Sequence, residues 1–298
     1  MKKIYLSMLV VAAFMFAACD PNGQNPEDPT KKPDPNALTE KVDPTKEDFS
    51  RKVLIEQFTS QSCGACPSGA QVIKNVIAGN EDKVVWVTHH AGFATDDFTI
   101  AKSESIAGQF DVSGAPNMML NRDVQTYHDF SVDNLGQAVI GQEMSSLVFH
   151  PAYLQEGGIS TMFQDALKVE GLASINIKQR MEGGKLKVGV YGAVKDLEKI
   201  RLNVMLIENN IKAKQYGPLN STGSQYGYDT EYIHNNVPRE IVTVALGDVI
   251  TLDAATYEKE YEFSPKSSWK LENCEIVAFV TKSTVKTVLN AASVPVQQ

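Results

Sequence analysis

The chain of 298 residues carries 36 acidic against 28 basic side chains, a net charge of −8. So acidic a balance argues against nucleic acid as a partner and offers anionic lipid no electrostatic attraction. About 250 residues follow the N-terminal leader and tether described next, more than one small domain usually needs, which favours two domains.

Met1-Lys2-Lys3 and the apolar run from Ile4 to Ala18 have the basic start and short hydrophobic stretch of an export signal, too short to span a bilayer. The run ends in Phe16-Ala17-Ala18-Cys19, which resembles a bacterial lipoprotein cleavage box whose Cys thiol becomes lipidated. Residues 1–18 are expected to be a signal peptide, with Cys19 the lipidation site. The plainer alternative is a soluble secreted protein in which Cys19 is incidental. Removing the signal takes away Lys2 and Lys3 and no acid, so the net charge moves from −8 to −10. One acyl chain binds a membrane marginally and two or more hold it durably, so the membrane is an expected partner through the N-terminal acyl chains. Residues 19–50, rich in Asp, Pro, Asn, Gln, Lys and Glu, read as a disordered tether with a reach of roughly 30 Å.

Residues 51–170 alternate strand-like and helix-like runs. Val53 to Thr59 reads as a strand, Pro67 to Ala78 as a helix, Val84 to Thr88 as a strand, Ile100 to Gln109 as a helix, and a strand follows Pro116. Such alternation implies a largely parallel sheet with right-handed crossovers. Ser131 has the character of an N-cap for a helix through Gln142, and Ile159 to Val169 reads as another helix. From residue 171 to 298 the pattern changes to short alternating strands, beginning with a hairpin across Glu182-Gly183-Gly184 and spaced as in an antiparallel sandwich. Lys212 to Pro238 is a long loop rich in Tyr, Gly, Asn and Ser, a paratope-like composition that includes Tyr216, Tyr226, Tyr228, Tyr232 and His234.

Cys63-Gly64-Ala65-Cys66 lies between the first strand and the first helix. The spacing alone also serves zinc sites, but a βα setting favours redox chemistry, and an exported compartment permits oxidation of the pair. At a helix N-terminus unpaired N–H groups favour a thiolate. Cys63 is therefore the candidate nucleophile, and Cys66 the residue that resolves a mixed disulfide. Phe110 to Leu120, with Gly114-Ala115-Pro116, resembles the thioredoxin segment whose cis-proline faces the sulfurs, making Pro116 a candidate substrate-docking residue; the bland alternative is a turn before a strand. Glu56 is a candidate for the buried acid that assists proton transfer, with Gln57 competing for that place. His89 and His90 end the second strand at the edge where open α/β sheets place ligands. They are candidates for thiolate tuning or, with the cysteines, for metal, although a His at a strand end more often bonds a loop carbonyl. Cys274 alternates with apolar neighbours and reads as an inert buried thiol. No cofactor is implied.

Val53 to Thr59 with Cys63 to Pro67, Tyr232 to Arg239, and Val277 to Val280 with Val288 to Ala291 resemble the outer membrane protein 28 family of bacterial lipoproteins. That resemblance implies an α/β thioredoxin-like domain over residues 51–170, an all-β immunoglobulin-like sandwich over 171–298, and a lipid anchor at the outer membrane, periplasmic or surface-facing. The chain departs from thioredoxin at Ser62, where thioredoxin has Trp. Three functions compete: thiol-disulfide exchange on exported proteins, adhesin- or receptor-type binding of an exported or surface protein with a structural disulfide, and metal handling by Cys63, Cys66 and His90. Fold alone does not choose among them.

Overall fold

Strand β1 (Val53–Thr59) is buried at every position, as befits an apolar, β-branched run covered on both faces. The computed structural model of the chain describes residues 34, 36–132, 138–151, 158–197, 199–219 and 225–297. The expected signal peptide, Cys19 and residues 20–33 lie outside the described residues. After β1 come helix α1 (Cys66–Ile77), β2 (Val84–His90), helix α2 (Ala101–Gln109) and β3 (Asn117–Leu120). β1 is central in this first sheet, parallel to β2 and antiparallel to β3. Cys66, Gly69, Ile73 and Ile77 make one helical stripe on α1, and its isoleucines pack with Val53, Ile55, Met118 and Leu120.

The helix expected from Ser131 is instead a hairpin of β4 (Gln125–Val132) and β5 (Ala138–Ser146). Two runs holding aromatic and β-branched residues flank Asp133-Asn134-Leu135-Gly136, a hairpin pattern that outweighs a single N-cap signal. Helix α3 (Gly158–Lys168) follows and buries Met162 and Phe163 on the α1 side of the first sheet.

The remaining strands are β6 (Asn176–Glu182), β7 (Lys185–Ala193), β8 (Lys199–Glu208), β9 (Ile211–Lys212), β10 (Gln215–Pro218), β11 (Tyr226–Asp229) and β12 (Ile233–His234). β13 (Val237–Ile241), β14 (Asp248–Thr251), β15 (Thr256–Phe263), β16 (Cys274–Lys282) and β17 (Val288–Pro295) complete the chain. The β6–β7 turn sits on Gly183 and Gly184, both at positive φ (58° and 77°), where glycine avoids the Cβ penalty. One sheet has the order β15-β7-β6, and a larger one β13-β8-β16-β17 with β14 also on β8.

Strand alternation gives the larger sheet two buried faces. Ile200, Leu202, Val204 and Leu206 join Val188, Val190 and Phe263 on one side. Met205, Ile207, Val277 and Phe279 meet Leu54, Phe58, Val85 and Val87 of the first sheet on the other. The protein is thus rich in sheet, and Leu38–Gln298 forms one compact unit. Its first residues, read as tether, pack onto β7. Leu38 is buried, and its carbonyl lies only 1.9 Å from where a Cβ at Gly189 would stand. Glu40 accepts hydrogen bonds from Lys178 and Tyr191, and Glu47 from Ser174 and Asn176.

Candidate functional site

The turn from Ser60 to Ala65 joins the C-terminal end of β1 to α1. Cys63 N–H donates to Ser60 O at 3.0 Å, and the first α-helical bond runs from Gly69 N–H to Ala65 O. α1 starts at Cys66, with Pro67 in the first turn where its missing N–H costs nothing. Cys66 is therefore the first helical residue, and Cys63 lies in the turn ahead of it. The two sulfurs form a disulfide. Both residues are buried, Cys63 to 3% exposure and Cys66 to 2%.

A hairpin from the second half of the chain lies against this turn. β10 and β11 pair as an antiparallel hairpin, Tyr216 opposite Tyr228. Rings of Tyr216 and Tyr226 stand over Gly64, 3.4 Å from where its Cβ would be, and Gly217 lies against Pro67. Tyr216 N–H donates to Gln61 O at 2.7 Å, Gln61 Nε2 donates to Lys214 O at 3.1 Å, and Gln215 Nε2 reaches the carbonyls of Ser60 and Cys63. Tyr226 and Tyr228 lie on the same face of the hairpin as Tyr216 and remain more than half exposed, at 54% and 53%. Sequence composition marked these tyrosines as contact residues, but nothing local linked them to Cys63, some 150 positions away. Gln215 carried no signal at all.

Pro116 follows a cis peptide bond and is buried, just ahead of β3. It packs on α1 at Gly69, where an added Cβ would come within 2.9 Å of the proline ring. Glu56 and Gln57 point to opposite faces of β1. Gln57 shares a cavity of about 30 Å³ with Cys66, Trp86, Gln215 and His234, room for an ordered water. Glu56 instead accepts two hydrogen bonds from Arg122, at 2.7 and 2.8 Å, and one from His89 Nε2–H at 3.3 Å. Burial alone would raise its carboxyl, but the Arg122 guanidinium and the His89 bond outweigh that and hold it at about 2. His89 Nδ1 takes the Ser103 hydroxyl at 2.9 Å, so this histidine serves the Glu56 network.

His90 turns the other way. Its Nδ1–H donates to Asp96 Oδ2 at 2.6 Å, and its ring lies 5.4 Å from that of His234. Asp96 also accepts the backbone N–H of Gln61, which ties this pair to the dithiol turn. Burial, then the neighbouring His90, lower the His234 imidazole to about 4, so it is neutral at pH 7. Among the described residues no group of three or more His, Cys, Asp and Glu is arranged to hold a metal ion. Burial, then Glu208, push the Cys274 thiol up to about 12, well away from reactive thiolates.

No curated protein matches the sequence. Similar solved structures include HBP35 of Porphyromonas gingivalis, 18% identical with a TM-score of 0.59 over 84% of this chain and 77% of that one. A domain of the outer membrane lipoprotein Omp28 from Porphyromonas gingivalis is 25% identical over 41% of this chain and 88% of that one, with a TM-score of 0.26. Among the described residues no helix is long and apolar enough to cross a membrane. The family described as outer membrane protein Omp28 matches residues 103–298, so the chain belongs to this family of outer-membrane lipoproteins.

Proposed function

We propose that the protein is a lipid-anchored binding protein of the outer membrane, attached through Cys19 after loss of residues 1–18. A thioredoxin-like first half and an immunoglobulin-like second half together hold the tyrosine hairpin, and Cys63–Cys66 is a structural clasp beneath it. The observation that carries this reading is the burial of Cys63 and Cys66, at 3% and 2%, in a turn whose Gly64 lies beneath the rings of Tyr216 and Tyr226. A nucleophilic thiolate has to be reachable by the disulfide it attacks, and Cys63 is almost wholly buried. Aromatic side chains among small polar residues offer large contact area at low entropic cost. The exposed faces of Tyr226 and Tyr228 are accordingly the contact surface for an exported or surface protein.

Thiol-disulfide exchange is the second reading, favoured by the packing of Pro116 on α1 one turn beyond Cys66. In it the Cys63 thiolate would attack a partner disulfide, and Cys66 would then displace the partner's second thiolate as the Cys63–Cys66 bond forms. Equilibration against glutathione and dithiothreitol buffers, with thiol trapping and mass spectrometry, separates the two. A clasp stays closed below about −300 mV; a potential between about −120 and −270 mV, with a mixed disulfide trapped on Cys63 in Cys66→Ser, would establish exchange instead.

A further inference from the structure

We infer that the oxidation state of Cys63–Cys66 and the docking of the β10–β11 hairpin are thermodynamically coupled, with Gln215 as the latch between them. The inference deepens the structural-clasp reading and rests on it.

The hairpin's contacts with the dithiol turn run mainly to backbone whose path the bridge fixes. Gln215 Nε2 donates to Ser60 O at 3.2 Å, Cys63 O at 3.0 Å and its neighbour Tyr216 O at 3.0 Å. Two hydrogens serve three acceptors, and two of the three carbonyls belong to the dithiol turn. Tyr216 adds its own N–H to Gln61 O, and its ring rests with that of Tyr226 over Gly64, midway between the cysteines. Gly217 closes the contact, since a Cβ added there would stand 3.3 Å from the Pro67 ring. A side chain at either glycine would come between the hairpin and the turn.

Reduction by a dithiol such as dithiothreitol breaks the bond between the two sulfurs. The reductant delivers two electrons and two protons and leaves as its own disulfide. Two thiols then replace the bond, and their sulfurs move from bonding distance to van der Waals contact, which opens the turn from Cys63 to Cys66. The carbonyl of Cys63 is the nearer of the two turn carbonyls that Gln215 holds, at 3.0 Å. A reduced turn therefore holds the hairpin less tightly. Because coupling between two equilibria is reciprocal, hairpin docking must in turn favour the closed bridge. A protein partner that drew the hairpin outward by Tyr226 and Tyr228 would make Cys63–Cys66 easier to reduce.

The test compares the full chain with Gln215→Ala in two measurements. Hydrogen exchange is followed in oxidised and dithiothreitol-reduced wild type, and the reduction equilibrium is titrated in both proteins. Reduction should speed exchange of the amides at residues 215–217 and 226–229 at least tenfold while β8 and β16 keep their protection. Gln215→Ala should raise the equilibrium constant for reduction about tenfold, an upward shift of ~30 mV for a two-electron couple. Tyr216→Leu, titrated the same way, replaces Gln215→Ala if that variant does not fold. Unchanged exchange on reduction together with equal potentials would overturn the coupling and leave the clasp intact. A wild-type potential in the range of exchange proteins would overturn the clasp reading, while the difference between wild type and variant still decides the coupling.

Discussion

Arg122 is the bulkiest side chain fully buried among the described residues, and it is charged. It pairs with Glu56 and lies between the rings of Phe110 and Phe279, 4.9 and 4.8 Å from their centroids, so one guanidinium joins the first sheet to the second half. Removing one partner of a buried pair strands the other charge. Arg122→Met should therefore cost about 3–5 kcal/mol in chemical denaturation, and Glu56→Leu with Arg122→Met should recover part of it. The pH dependence follows from the lowered Glu56 carboxyl. Above about 4.5 its contribution is complete, and it is lost as pH falls toward about 2, because only the unfolded chain takes up the proton in that interval. In Glu56→Gln, denaturation midpoints should flatten over that acid range. His234 acts in the same direction over a higher interval. Its imidazole is held neutral to about 4 in the fold, so stability falls as pH drops from about 6.5 toward 4, and His234→Asn should reduce that slope.

At the scale of elements, close approach decides which substitutions are tolerated. A Cβ at Gly189 would collide with the backbone of Leu38, and one at Gly69 with the ring of Pro116. Gly189→Ala should expel residues 38–50 from β7, read as faster proteolysis in that stretch, and Gly69→Ala should cost about 1–3 kcal/mol by forcing α1 from the proline. Much of the first half was legible in the sequence. Val53 to Thr59, the helix after Cys66 and the strand after Pro116 each carry their own period or their own turn residues. The β4–β5 hairpin was not, because a local cap signal at Ser131 competed with pairing made between residues up to 21 positions apart. Within the site, Cys63, Cys66 and Pro116 stood out by residue type. Their cover did not, since Gln215 and Tyr216 reach the turn only through the fold, and Glu56 and Gln57 differ by which face of β1 they take.

For the whole molecule, the decisive feature is a sheet buried on both sides. Alternate residues of β8 and β16 serve two cores, so neither half keeps its apolar faces covered without the other. Residues 51–170 produced alone should bind a hydrophobic dye and lack cooperative unfolding, whereas the full chain should melt in one transition followed identically by fluorescence and circular dichroism. Phe279→Ala, on the face toward the first sheet, should cost about 3–5 kcal/mol and lower protection in β1 as well as β16. The segment from Leu38 to Ser50 adds a mechanical consequence. If the anchor is at Cys19 as proposed, a pull from the membrane would reach this segment first, where Leu38, Glu40 and Glu47 grip β6, β7 and the residues beside them. They would peel away one contact at a time before load arrives at β1, which is clamped between two neighbours and would have to be sheared out whole. On that proposal the stretch would work as a shock absorber, yielding under tension so that the interior does not.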